Sequence, residues 1–155
     1  MKLELVRDWM SRDVITVTPE TPLPDADRLM VSHVIRRLPV VDNKGRLVGI
    51  VTYGDIRSAR PSHVTSLSIW ELNYLVNRLK VAEIMKRQPI TISQEATIGE
   101  AAQLMLKNMI SGLPVLDNQG NLVGIITESD IFRLVVREWM KSREEIETEP
   151  HAYYG

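Results

Sequence analysis

The chain carries one pattern twice, and that repeat limits its fold more than any other feature. Laid over Val81–Phe132, the stretch Val6–Arg57 aligns at a fixed offset of 75 with no gap, and 23 of 52 pairs are identical. Agreement is densest from Leu38-Pro39-Val40 to Thr52-Tyr53-Gly54-Asp55-Ile56, matched by Leu113-Pro114-Val115 to Thr127-Glu128-Ser129-Asp130-Ile131. A unit of about 50 residues buries too little surface to stand alone. Two such units bury a shared face, and the cleft between them is a natural place for a ligand.

Each copy changes its periodicity in the same order. Ile15-Thr16-Val17 and Ile90-Thr91-Ile92 are β-branched runs with strand composition. In copy two, Thr97 and Glu100 make a capping box ahead of Ile98, Ala101, Ala102, Met105 and Met109, one apolar helix face. Copy one places Pro22 and Pro24 in the first turn, where a missing N–H costs little. Asp42-Asn43-Lys44-Gly45 and Asp117-Asn118-Gln119-Gly120 then join two apolar runs, which predicts tight hairpins. A second helix follows from Gly54 or Ser129. The predicted fold class is α+β, with each motif β-α-β-β-α.

The predicted organisation is a first motif at 1–65, a linker helix at 66–80, a second motif at 81–141 and an acidic tail at 142–155 without fixed structure. The linker shows a second capping box, Ser68 with Glu71, before Leu72, Leu75, Val76 and Leu79.

Net charge is −1 with no block of Lys or Arg, which argues against nucleic acid or an anionic membrane as partner. Any phosphate must be met by local groups. With no cysteine there is no disulfide, thiolate metal site or cysteine nucleophile. The charged N-terminus fits no signal peptide, and no apolar run nears the roughly 20 residues that span a bilayer, so the expectation is a soluble, cytoplasmic protein.

The sharpest local motif is Gly-h-h-Thr-x-x-Asp-h, where h is apolar: Gly49–Ile56 and Gly124–Ile131. It lies where a strand runs into a helix. Free N–H groups at such a helix start suit anions. An ionised Asp one turn in can accept both hydroxyls of a vicinal diol, as on a ribose. Thr-x-x-Asp is equally a helix cap, with Thr at the N-cap and Asp three residues on. Local sequence leaves both readings open.

Taken with the Leu-Pro-Val-h-Asp start of each hairpin, these motifs resemble the CBS motif, and the pair resembles a Bateman module in a small stand-alone CBS-pair protein. The resemblance covers Val6–Arg57 and Val81–Phe132. It implies two motifs related by a pseudo-two-fold axis that bind an adenosine ligand in the clefts between them: AMP, ADP or ATP, with S-adenosylmethionine or NAD as further members of that class. Carried over, Asp55 and Asp130 hold ribose hydroxyls, and Thr52 and Thr127 contact ribose or phosphate. Ile50 and Ile125 line the base pocket, and Ile15, Thr16, Val17, Ile90, Thr91 and Ile92 supply apolar walls and backbone groups. Arg36-Arg37 precede Leu-Pro in copy one, where the family often carries phosphate-binding His or Arg; copy two has Ser111-Gly112. A surface arginine pair is the plain alternative.

No catalytic residue and no required cofactor are expected. His33, His63 and His151 lack metal-ligand spacing, and the glycines fit neither a P-loop nor a dinucleotide fingerprint. Trp9, Trp70 and Trp139 lie in no block of basic residues and are expected in packing or dimer contacts. The expected function is a regulatory module sensing an adenine nucleotide for an unknown regulated protein. The alternative is an interaction scaffold with non-functional clefts. Leu134, Val135, Trp139 and Met140 put apolar surface on more than one side of the last helix, which predicts a homodimer.

Overall fold

The computed structural model describes residues 3–59 and 68–140, and its elements are α+β. In chain order they are α1 (Val6–Trp9), α2 (Leu23–His33), β1 (Arg37–Val41), β2 (Leu47–Thr52), α3 (Tyr53–Ala59), α4 (Ile69–Arg78) and α5 (Val81–Ile84). There follow β3 (Lys86–Arg87), β4 (Ile92–Ser93), α6 (Ile98–Asn108), β5 (Gly112–Leu116), β6 (Leu122–Thr127) and α7 (Glu128–Trp139). The expected tail at 142–155, His63, His151 and the start of the linker at Ser66 lie outside the described residues.

The hairpins form as the turn residues predict. Leu38 pairs with Val51 and Pro39 with Ile50, and their repeats Leu113 with Ile126 and Pro114 with Ile125 keep the same antiparallel register. In the first turn the Lys44 and Arg46 N–H groups both donate to Asp42 Oδ1 at 2.9 Å. Gln119 and Asn121 do the same to Asp117 Oδ1 at 2.9 and 2.8 Å. These bonds hold both aspartates below the usual carboxylate range. Gly45 and Gly120 take φ of +78° and +83°, the left-handed region that a side chain resists. At α6, Thr97 and Glu100 close their capping box, and Ser68 and Glu71 close another at α4.

The first strands are shorter than their sequence predicts, and proline is the reason. Only Val17 joins β1: its N–H donates to the Pro39 carbonyl, and the Val41 N–H donates back to Val17. The next parallel bond toward the N-terminus would need an N–H on Pro39, and the next toward the C-terminus one on Pro19. In copy two Pro114 blocks Ile90 in the same way. Gln94, at the position of Pro19, does donate to Leu116, and the ladder extends into β4.

The chain divides into two compact units whose limits cut across the repeat. Of the described residues, one unit holds 15–59 and 68–89; the other joins 3–14 to 90–140. The segment that opens each copy thus packs in the unit of the other. Val6 and Met10 lie in a core with Ile92, Ile98, Ala101, Met105, Leu113, Val115 and Ile126. Val81 and Met85 lie in a core with Val17, Leu23, Ala26, Met30, Leu38, Val40, Val51 and Ile56. Each fully buried aliphatic side chain stabilises its unit by about 1.5–3 kcal/mol.

Those segments also complete the sheets. β3 pairs with β2, placing Arg87 beside Gly49 and Lys86 beside Ile50, and Ser11 bridges Ile125 at the same position of the other sheet. Gly49 is the close-approach point: a Cβ there would lie 2.8 Å from Met85 Sδ and 2.9 Å from the Lys86 carbonyl. At Gly124 the corresponding distances are 2.5 Å to Met10 Sδ and 2.9 Å to the Ser11 carbonyl. The motif glycine is therefore required by packing.

The linker helix α4 lies against α2 but buries none of its residues fully. Leu75, expected on its packed face, is 47% exposed, whereas Leu72 and Val76 are half-buried.

Candidate ligand site at the strand-to-helix junction

Each β2–α3 or β6–α7 junction is built from the Thr-x-x-Asp motif. In the first repeat the Thr52 N–H donates to Asp55 Oδ2 at 2.9 Å, and the Asp55 N–H donates to Thr52 Oγ1 at 3.1 Å. The Tyr53 N–H donates to the Arg36 carbonyl at 2.7 Å, which ties the helix start to the beginning of β1. In the second repeat the Thr127 N–H donates to Asp130 Oδ2 at 2.8 Å, and the Glu128 N–H donates to the Ser111 carbonyl at 3.0 Å. The capping geometry is thus formed at both positions. It uses one carboxylate oxygen of each aspartate and several of the N–H groups that the sequence assigns to an anion.

Alternation along the strands sorts the remaining candidates by face. Leu38, Val40 and Val51 point into the first core. On the opposite face of this sheet, Arg37 stands across from Thr52, Pro39 across from Ile50, and Lys86 on the far side of Ile50. Ile50 and Thr52 are half-buried, as a partly open wall requires. Val17 is in the core and Ile15 packs against it, so they can offer a ligand backbone groups. Thr16, one residue before the bridge, falls on the face of Ile50. The second repeat is arranged alike except at its first position: Ile92 is buried, Thr91 half-buried and Ile125 half-buried beside Thr127, but Ile90, unlike Ile15, is 39% exposed. Gly112 stands where the first repeat has Arg37.

The two junctions differ in charge. The strands around the first carry three cations, Arg36 and Lys86 exposed and Arg37 half-buried. The second has Ser111, Gly112 and Ser11 at those positions. There Asp130 is only 4% exposed, and Arg133 Nη1 donates to its Oδ1 at 2.6 Å. Burial pushes the Asp130 carboxyl above its ordinary range, against the opposing pull of the Thr127 N–H and the Arg133 guanidinium. Sequence reading missed both Lys86 and Arg133. The available signal was that copy-one residues Ser11 and Ser58 face lysine and arginine at offset 75.

Among the described residues no group of three or more His, Cys, Asp or Glu is arranged to hold a metal, and no helix is long and apolar enough to cross a membrane.

The family model for the CBS domain matches residues 6–62 and again 81–137. The chain belongs to the CBS-domain family and carries two copies of the domain. It is 38% identical over 133 residues to a CBS domain-containing protein of Dictyostelium discoideum, covering 86% of this chain and 92% of that one. Other curated relatives are longer, and the chain spans between 23% and 46% of three of them. Among solved structures, the CBS domain pair of protein MJ0100 in complex with 5′-methylthioadenosine and S-adenosyl-L-methionine is similar at a TM-score of 0.74 and 34% identity, over 88% of this chain and 99% of that one. CBSX2 of Arabidopsis thaliana in complex with AMP matches at a TM-score of 0.72 and 28% identity, over 88% and 98%.

Proposed function

We propose that the protein is a regulatory module that binds an adenine nucleotide at the strand-to-helix junctions and passes the binding state to a partner protein. The observation that carries this reading is the first junction. Arg37, Lys86, Ile50 and Thr52 share one sheet face beside Asp55, which combines cations for phosphate, an apolar wall for a base and a carboxylate for a ribose diol. The complexes of the two structural neighbours with adenosine compounds support the same ligand class. In this reading Asp55 and Asp130 take ribose hydroxyls, Thr52 and Thr127 contact ribose or phosphate, and Arg36 and Arg37 meet phosphate. Ile50 and Ile125 line the base pocket, with backbone and side-chain groups from 15–17 and 90–92 beside them.

A thermal-shift series with AMP, ADP, ATP, S-adenosylmethionine, NAD and adenosine tests it. A ligand at 100 times its Kd stabilises by about 2.7 kcal/mol. AMP should raise the melting temperature more than adenosine. Equal response to adenosine and AMP removes the arginines from the reading, and no response to any of the six removes the ligand.

The working form proposed is a homodimer. In the unit that holds α6 and α7, Leu106 is 81% exposed, Met109 92%, Phe132 62% and Trp139 83%. Soluble chains seldom leave such apolar surface uncovered, and a closed two-fold dimer is its commonest cover.

A further inference from the structure

We infer that Arg133 is a latch on the second repeat, so that an adenosine ligand at rest enters at Asp55 and not at Asp130. The inference rests on the proposal that these aspartates accept a ribose diol, and it adds which of them is available to do so.

Asp130 has both oxygens engaged by its own chain. Oδ2 accepts the Thr127 N–H, with Thr127 Oγ1 3.4 Å away, and Oδ1 accepts Arg133 Nη1 at 2.6 Å. The carboxylate is 6% exposed and the arginine 29%, so the pair is largely shielded from water. A short charge-assisted bond in that setting is stronger than a surface ion pair. A diol must displace the guanidinium before it can reach Oδ1. Asp55 is half-buried, and its bonds within the described residues are those to Thr52. Ser58 holds the position equivalent to Arg133, is exposed, and is too short to span the same gap. The first repeat therefore keeps an open acceptor on a junction whose strands carry Arg36, Arg37 and Lys86, while the second is closed by its own helix.

Calorimetric titration with AMP tests the latch in the full chain. The wild type should bind one AMP per chain, Arg133→Met should bind two, and Arg133→Met with Asp130→Asn should return to one. Ser58→Arg installs the missing arginine at an exposed position and should weaken the wild-type event at least tenfold. It stays informative if removing Arg133 unfolds the protein. The latch is overturned if the wild type already binds two AMP, if Arg133→Met still binds one or binds it more weakly, or if Ser58→Arg leaves the affinity unchanged. Absence of binding by wild type and Arg133→Met alike overturns the nucleotide reading itself, and the latch with it.

Discussion

Val34 ends α2 and Met109 ends α6, each in the left-handed region at φ of 54° and 53°. For a non-glycine residue this costs about 1–3 kcal/mol, most for a β-branched one. Both are exposed on the single chain, so little packing within the fold would be lost on truncation, although Met109 belongs to the surface proposed for the dimer. Val34→Gly should therefore stabilise the fold by about 1 kcal/mol and Met109→Gly by less, measured by urea denaturation. Charge acts at the same scale. Asp42 and Asp117 are held below their ordinary 3.8 by turn N–H groups, so their stabilisation is present above that value and is lost as pH falls through the lower folded-state pKa. Asp130 has the opposite sign: burial raises it, so its ionised form costs stability at neutral pH, and that cost is relieved as pH falls through the raised pKa. Asp117→Asn should flatten acid destabilisation, and Asp130→Asn should remove the opposing gain, both read as melting temperature against pH.

At the scale of elements, the short segments that open each copy matter more than their length suggests. α1 and α5 have four residues each, yet each gives its unit a fully buried valine, and the residue that follows each helix is a buried methionine stacked on the motif glycine. Gly49→Ala and Gly124→Ala should each destabilise by about 1–3 kcal/mol, because the contacting atoms include a backbone carbonyl that cannot rotate away. Met10→Ala should cost about 2–5 kcal/mol and should act on the second repeat's core although Met10 belongs to the first repeat's sequence. Hydrogen exchange would show it: faster exchange in β5 and β6 with β1 and β2 unchanged is the expected pattern.

For the whole molecule, the apolar residues left on α7 predict association. Phe132, Val135, Val136 and Trp139 are all exposed, whereas Leu134, expected in the same patch, packs against the second core and Met140 is half-buried. Light scattering at micromolar concentration should give twice the 17.7 kDa of one chain. Phe132→Ala with Trp139→Ala should return it to one chain without lowering the melting temperature of the isolated fold. A single-chain mass for the wild type would assign those residues another role.

The repeat, the hairpins with their Asp and Gly turns, the capping boxes and the α+β class all follow from local sequence, because each depends on residues within a few positions of one another. The prolines that shorten the first strands were also present in the sequence, but their effect appears only once Pro39 and Pro19 are placed opposite the groups they cannot bond. Tertiary structure decided the rest. It showed that the opening segment of each copy completes the other unit, and that Lys86 flanks Ile50. It also showed that the two matching aspartates stand in different environments, one open and one buried under Arg133. Identical motifs came to differ because burial and charge depend on neighbours distant in sequence, and a repeat at a fixed offset records only likeness.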